Sequence, residues 1–143
     1  MSIYDKFAEK YYQEAKRDLE RALRALQFLD YPQAVFYAQQ CVEKCVKALL
    51  EVKRRVIYSH GPELLSIFLE IFEKEWVEEF NIIANALEFL TEYYTRSRYP
   101  LLFRGEVYGP EEIITRDIAE KGIELAKRVI EVTGNYLKRK HSL

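Results

Sequence analysis

A helix-forming stretch near the middle of the chain carries polar side chains where its neighbours are apolar. Gln40, Glu43 and Lys47 are spaced three and four residues apart, so a helix places them on one face. A polar line inside a helical bundle needs partners, because buried polar groups without hydrogen bonds are costly. Two interpretations stay open: a solvated stripe with a Glu43–Lys47 ion pair, or a polar seam that lines a groove or a dimer interface.

Two basic segments are the obvious partners for this line, and the first is residues 54–60. Arg54 and Arg55 offer planar guanidinium groups that suit phosphate, and His60 can transfer protons near neutral pH. Metal-free RNA cleavage needs a base for the ribose 2′-hydroxyl, an acid for the leaving oxygen and a cation for the phosphate. Basic residues are equally favoured at the C-terminal end of a helix, so a purely structural interpretation stays open.

The second basic segment is residues 93–100, which read Tyr-Tyr-Thr-Arg-Ser-Arg-Tyr-Pro. Tyrosines beside Arg96 and Arg98, with Tyr99 following, are able to stack on bases and hold phosphates. The same side chains could instead fasten a long loop to the end of a helix. The sequence does not separate these two interpretations.

Composition indicates a single globular domain spanning residues 1–143. Apolar residues make up 49% of the chain and charged residues 31%, with a formal net charge of −1, which disfavours binding of duplex DNA by a broad cationic surface. We expect no membrane partner and a cytoplasmic location, because no run of 18 uncharged apolar residues and no signal-peptide pattern occurs. The richness in Glu, Lys, Arg, Tyr and Ile is typical of thermophile proteins.

The two cysteines do not indicate a metal site. Cys41 and Cys45 are four residues apart on a predicted helix, which suits small buried thiols better than a disulfide. A metal pair is the alternative, but no second Cys or His cluster completes a zinc site. Glycine-rich phosphate loops, HExxH and EF-hand loops do not occur in the sequence, so we expect neither a cofactor nor a metal.

Hydrophobic periodicity predicts helices throughout the chain. The predicted helices span residues 4–29, 32–53, 63–72, 75–96 and a last one from residue 110, with a frayed basic tail at 138–141. We expect a loop at 98–109 with at most a short extended piece around 103–108. Gly122 falls on the apolar line of the last helix and could allow a close helix crossing. The fold class predicted is all-α, an antiparallel up-and-down four-helix bundle with an additional short helix.

Five segments in this order and spacing resemble the HEPN domain family, named for higher-eukaryote and prokaryote nucleotide binding. The segments are residues 14–19, 31–40, 43–50, 59–60 and 94–100. The resemblance implies a homodimeric helical bundle that often acts as the toxin beside a small cognate nucleotidyltransferase. Active members of the family are metal-independent ribonucleases with Arg, four to six residues, and then His.

That ribonuclease spacing is present here, because four residues separate Arg55 from His60 and five separate Arg54 from it. In the ribonuclease branches, however, the motif is expected late in the bundle, near Arg98, and no histidine follows Arg98 before His141. The chain therefore looks most like the stand-alone prokaryotic branch, for which binding is the leading expectation.

Three hypotheses follow. In the first, a homodimeric bundle binds a nucleotide, an RNA or a cognate nucleotidyltransferase; Lys47 and Arg98 meet phosphate and His60 donates a hydrogen bond. The supporting residues of that site are Gln40, Glu43, Arg96 and Tyr99. The second is a metal-independent ribonuclease that uses Arg54 or Arg55 with His60. The third is a structural or interaction module without a ligand, whose polar line only sets the dimer register.

Overall fold

A computed structural model describes residues 1–55 and 62–143 of the chain. Its elements are α1 (Ile3–Gln27), α2 (Tyr31–Val52), α3 (Pro62–Phe72), a 3₁₀ turn (Glu73–Glu75), α4 (Phe80–Tyr93), β1 (Leu101–Phe103), β2 (Glu106–Tyr108), α5 (Pro110–Ile113) and α6 (Arg116–His141).

The four long helices run alternately up and down, as the sequence predicts. The start of α1 lies beside the end of α2, where the Arg54 guanidinium carbon is 5.3 Å from the ring centroid of Tyr4. The start of α4 lies beside the end of α6, where the rings of Phe80 and Tyr136 are 5.7 Å apart. The predicted all-α antiparallel bundle, with the short helix α3 added, is therefore confirmed.

Helix α2 lies at the centre of the bundle because most of its length is buried and its buried side chains are small. Ala38, Cys41 and Cys45 are fully buried, which confirms the prediction of buried thiols. Gly122 of α6 permits a close crossing, as its position predicts: a Cβ there would stand 3.8 Å from the Cβ of Ala38 and 3.0 Å from a methyl of Leu90. Small residues thus allow three helices to approach closely.

Side-chain caps fix where α1, α2 and α6 begin. Ser2 accepts a hydrogen bond from the backbone amide of Asp5, and Asp30 accepts one from the amide of Gln33. Thr115 caps α6 by accepting from the amide of Ile118 at 3.3 Å. Each cap satisfies an amide that has no partner within its own helix.

Three boundaries differ from the sequence prediction. The helix expected from residue 75 begins at Phe80, because Trp76 is extended and its ring packs 5.5 Å from those of both Phe68 and Phe80. The last helix is interrupted at Ile114, where the backbone is extended before the cap of α6. The basic tail is helical to His141, whose ring lies 5.6 Å from that of Tyr136, so the prediction of a frayed tail was wrong.

The loop after α4 contains a β-hairpin where the sequence suggested only an extended piece. Leu101 pairs with Tyr108 and Phe103 with Glu106 in an antiparallel register. The turn residues Arg104 and Gly105 both have positive φ, 51° and 80°, as a two-residue type I′ turn requires. Among the helices of the described residues, none is long and apolar enough to cross a membrane.

Candidate functional site

The end of α4 brings Arg98 against a group of aromatic rings. Its guanidinium carbon lies 5.4 Å from the ring centroid of Phe36 and 5.1 Å from those of Tyr94 and Tyr99. One guanidinium nitrogen donates a hydrogen bond to the Tyr99 hydroxyl at 3.0 Å. Because a cation is attracted to a ring face at such distances, the rings hold the guanidinium in place. We call these four residues the Arg98 cluster.

The backbone after α4 explains how the cluster forms. The amide of Ser97 donates to the carbonyl of Tyr93 at 2.9 Å, and the amide of Tyr99 donates to that of Thr95 at 3.0 Å. Ser97 is buried, and its hydroxyl donates to the carbonyl of Tyr94 at 3.1 Å. With Ser97 anchored inside, Arg98 and Tyr99 lie on the outside of the turn, where Tyr99 is 53% exposed.

The Arg98 guanidinium is charged at physiological pH, as arginine always is, and its surroundings do not weaken that charge. Partial desolvation lowers the pKa of Arg98, but hydrogen bonds and electrostatic attraction to Tyr94 and Tyr99 outweigh it and raise the pKa above its usual value. The group is therefore a permanent cation with N–H donors still free to meet an anion.

The predicted polar line on α2 begins next to this cluster. Phe36 precedes Gln40 by four residues and so lies on the same helix face. The Gln40 amide nitrogen donates to the side-chain oxygen of Gln39 at 2.8 Å. Glu43 is only 3% exposed and Lys47 is partly buried, which favours a polar seam over a fully solvated stripe.

Arg98 and Lys47 lie at different points along α2. Arg98 contacts Phe36, which is eleven residues from Lys47, or about 16 Å along the helix axis at 1.5 Å per residue. Within one chain, Lys47 and Arg98, both predicted to meet phosphate, are therefore two separate contact points. A ligand that meets both must be longer than one phosphate group.

Arg96 lies apart from the Arg98 cluster. Its guanidinium pairs with Glu92 at 3.4 Å, and the two side chains are 42% and 56% exposed. An exposed pair of this kind contributes little to stability. Arg96 therefore belongs to the surrounding surface charge.

Arg54 and Arg55, two of the predicted ribonuclease residues, lie at the other end of the bundle. Arg54 follows α2 in a left-handed conformation with φ of 62° and stacks over Tyr4, while Arg55 is exposed. His60 falls outside the described residues, as does the rest of 56–61. The predicted Arg-to-His spacing is therefore not tested by the structure.

Both thiols are buried. A hydrogen bond to Cys45 and burial raise the pKa of the Cys41 thiol well above its usual value, which disfavours the nucleophilic thiolate. Within residues 1–55 and 62–143, no three His, Cys, Asp or Glu side chains lie together as metal ligands would.

Sequence reasoning missed Phe36 and gave Tyr94 no role of its own. The only sequence signal for Phe36 was its position on the polar line of α2, four residues before Gln40. It also missed a buried carboxylate: Asp18 is 1% exposed and accepts from Lys44 at 2.5 Å and Arg21 at 2.6 Å. The sequence did indicate it, because Asp18 is an acidic residue on the alanine-rich apolar face of α1.

A separate groove of about 460 Å³ lies between the start of α4 and the end of α6. Its walls carry charges of both signs, and Arg139 approaches Glu79 at 3.9 Å across it. None of the predicted site residues lines this groove.

Comparison with known proteins adds a family match to this geometry. The model of the HEPN domain matches residues 8–136. The protein named "Putative toxin MJ1304" from Methanocaldococcus jannaschii is 34% identical over 141 residues, which cover 96% of this chain and 93% of that protein.

Two crystal structures share the fold. That of TT1696 from Thermus thermophilus has a TM-score of 0.74 and 28% identity, covering 90% of this chain and 96% of its own. That of ST0689, an archaeal HEPN homologue, has a TM-score of 0.68 and 30% identity, with coverage of 92% and 98%. Fold and sequence therefore agree over nearly the full length of each chain.

Proposed function

This chain belongs to the HEPN domain family, and from that premise we propose that it binds a nucleotide or RNA at the Arg98 cluster. The observation that carries the proposal is a guanidinium held among three rings, one of which, Tyr99, is 53% exposed. Arginine binds phosphate with a planar fork of donors, and an exposed aromatic face can stack on a base.

The α2 seam supports RNA over a mononucleotide. Lys47 lies about 16 Å along α2 from the ring that Arg98 contacts, so a single phosphate cannot meet both cations. A chain of phosphates can follow the seam from Arg98 past Gln40 to Lys47. In this proposal Arg98 binds a phosphate of either a nucleotide or an RNA, whereas Lys47 contributes only to the binding of RNA.

We further propose that the protein is the toxin half of a toxin–antitoxin pair and that it acts as a homodimer. The support for the toxin role is the 34% identity, over nearly the whole of both chains, to the protein named "Putative toxin MJ1304"; the homodimer is proposed from the resemblance to the HEPN family. The partner proposed is a small nucleotidyltransferase, which co-purification with the product of a neighbouring gene would test. A purified complex in which no nucleotidyltransferase is found would contradict this part.

Titration of labelled ATP and a labelled single-stranded RNA by fluorescence anisotropy tests the binding proposal. Arg98→Ala should weaken both by about tenfold or more, since a hydrogen-bonded charge is lost. Arg98→Lys should recover only part of that loss, because it keeps the charge without the planar fork. Lys47→Ala should weaken RNA binding and leave ATP binding unchanged.

Arg139→Ala is the matched control, because Arg139 is an exposed arginine at the end of α6, beside Glu79 at the start of α4 and so at the opposite end of the bundle from the Arg98 cluster. It removes the same charge away from the cluster and should leave both affinities near wild type. Equal affinities for wild type, Arg98→Ala and Arg139→Ala would overturn the proposal, as would failure of wild type to bind either ligand.

A second candidate function, metal-independent RNA cleavage, is supported by the spacing of Arg54 and Arg55 from His60 in the sequence. The left-handed conformation of Arg54 belongs to the end of α2, where its amide donates to the carbonyl of Glu51 at 2.8 Å and the amide of Arg55 donates to that of Leu50 at 3.0 Å. Cleavage that persists in EDTA and disappears in both Arg54→Ala and His60→Ala would support it. Cleavage that persists in His60→Ala would mark a contaminating nuclease.

A further inference from the structure

Two adjacent rings on α2 each lie beside an arginine from another part of the chain. The ring centroid of Phe36 is 5.4 Å from the guanidinium carbon of Arg98. The ring centroid of Tyr37 is 5.9 Å from the guanidinium carbon of Arg21, which belongs to α1. The two rings contact each other edge to face, with centroids 5.3 Å apart. These four residues therefore form one continuous row that crosses α2 from the end of α4 to α1.

A buried carboxylate holds Arg21 in place through one of its nitrogens. Asp18 is 1% exposed and accepts a hydrogen bond from Nη1 of Arg21 at 2.6 Å. Glu14 lies 3.8 Å from the same nitrogen. Within the part of the chain that the structure describes, both ion pairs of Arg21 use Nη1, which leaves the N–H groups of Nε and Nη2 to meet an anion. The Arg21 side chain is 37% exposed, so an anion can reach it.

The surroundings of Arg21 carry more positive than negative charge. The amine of Lys44 contacts the second oxygen of Asp18 at 2.5 Å, so this one carboxylate has two cations. Arg17 pairs with Glu14 at 3.2 Å. Three cations thus share two carboxylates, and the charge in excess is positive. An approaching phosphate is therefore attracted to this group as a whole.

Arg21 and Lys44 lie between the two ends of the proposed RNA path along α2. Tyr37, the ring beside Arg21, directly follows Phe36 in the chain, and Lys44 precedes Lys47 by three residues, or about 4.5 Å of helix rise. One strand of a nucleic-acid helix carries a phosphate about every 3.4 Å of its axis, so a strand that spans the path places several phosphates between its ends. Those phosphates need cations of their own.

We infer that Arg21 is a further phosphate-binding residue of the proposed RNA site. A single-stranded RNA then runs from Arg98 across the two rings to Arg21 and continues to Lys47. Tyr37 supports the Arg21 guanidinium as Phe36 supports that of Arg98. A cationic track with aromatic rings along it is how proteins hold single strands, since the rings stack on bases while the cations meet the backbone. This inference rests on the RNA binding proposed above.

The salt dependence of RNA affinity tests the role of Arg21, because it counts phosphate contacts. Each lost contact should lower the slope of log affinity against log salt by about 0.7 for a single strand. Arg21→Gln removes the charge and keeps an N–H donor for Asp18. With a labelled oligouridylate, it should weaken binding about fivefold and lower that slope by about 0.7. Arg21→Lys keeps the charge and should keep the slope, as should the distant control Arg139→Ala.

The outcomes separate this inference from RNA binding itself. Weaker binding by Arg21→Gln with an unchanged slope would show a structural effect through Asp18 and would overturn the inference. Wild-type affinity of Arg21→Gln, together with weak binding by Arg98→Ala, would overturn it as well and leave the Arg98 cluster as an RNA site. Failure of wild type to bind the oligouridylate would overturn both.

Tyr37→Leu supplies a second measurement that leaves the ion pair of Arg21 with Asp18 in place. It removes a ring that can stack on a base but no charge, so it should weaken RNA binding about fivefold or more and leave the salt slope unchanged. Circular dichroism melting confirms that the variant is folded at the temperature of the titration. Wild-type RNA affinity of the folded Tyr37→Leu protein would overturn the path across the rings.

Discussion

Substituting alanine for Gly134 in α6 tests how α1 is locked onto the bundle. A Cβ at this position would overlap the Tyr12 hydroxyl and lie 3.1 Å from the Tyr12 Cζ atom. That hydroxyl donates to the carbonyl of Ile130 at 3.0 Å, so Tyr12 cannot keep this bond and also make room for the methyl group. Gly134→Ala should therefore displace the ring.

Favourable and unfavourable free-energy contributions together set the effect of Gly134→Ala on stability. Alanine in a helix interior gains about 1 kcal/mol over glycine. Against this, the lost Tyr12 hydrogen bond costs about 1 kcal/mol, and pushing a packed ring out of place costs roughly 1–3 kcal/mol. The net expectation is a loss of about 1–3 kcal/mol in the free energy of unfolding.

The Tyr12→Phe variant tests whether overlap with the Tyr12 hydroxyl causes this destabilisation. It removes the overlapping oxygen and leaves the ring carbon at 3.1 Å, a contact that a small shift relieves. In that background Gly134→Ala should be nearly neutral, which gives a coupling energy of about 1–3 kcal/mol. The free energies of unfolding of wild type, the two single variants and the double variant are measured by urea unfolding followed by circular dichroism. The dependence of that free energy on urea concentration should be the same in all four proteins. Equal effects of Gly134→Ala in both backgrounds would refute the reasoning.

Three further predictions concern buried and paired groups. Glu51 is 5% exposed, and one of its carboxylate oxygens has no hydrogen-bond partner within the described chain. Because burial raises the pKa of Glu51, its charged form destabilises the fold at pH 7, so Glu51→Gln should raise the melting temperature there. This difference should disappear in acid, where the wild-type carboxyl group is protonated. Burial of Glu75 opposes ionisation, but hydrogen bonds from Lys53 and Tyr136 lower its pKa below 4.5 overall. Its stabilising contribution is therefore present above pH 4.5 and lost as the pH falls further, so Glu75→Gln should melt below wild type at pH 7 and converge with it in acid. Gly122→Ala should lower the urea midpoint despite its gain in helix propensity, because its methyl group would press on buried Leu90 at 3.0 Å.

Helical periodicity predicted the bundle because each long helix has an apolar face that only other helices can bury. The same reasoning identified Gly122, since a glycine on an apolar helix line leaves room for a neighbour. It failed at Trp76, where ring packing against Phe68 and Phe80 outweighs the local preference for helix. It also failed at Arg104, because arginine is a rare choice for the left-handed position of a hairpin turn.

For the candidate site, the sequence identified Arg98 and Tyr99 but not the ring that completes their cluster. Phe36 lies 62 positions before Arg98 in the chain, and periodicity gives the face of a helix without naming what packs on it. Periodicity likewise did not show that, within one chain, Lys47 and Arg98 lie at different levels of α2. Spacing along α2 was correctly read, but the level at which the end of α4 reaches α2 depends on tertiary packing.

The two candidate functions occupy opposite ends of the molecule, which makes them separable by experiment. Arg54 stacks on Tyr4 at the start of α1, whereas Arg98 contacts Phe36, eighteen residues before Arg54 and about 27 Å away along α2. Within one chain, a single phosphate cannot meet both arginines. Arg98→Ala should therefore reduce ligand binding at its own end without changing the local environment of Arg54, and Arg54→Ala should leave nucleotide affinity intact. If both substitutions reduced ATP affinity equally in a well-folded protein, the Arg98 cluster would not be the binding site by itself.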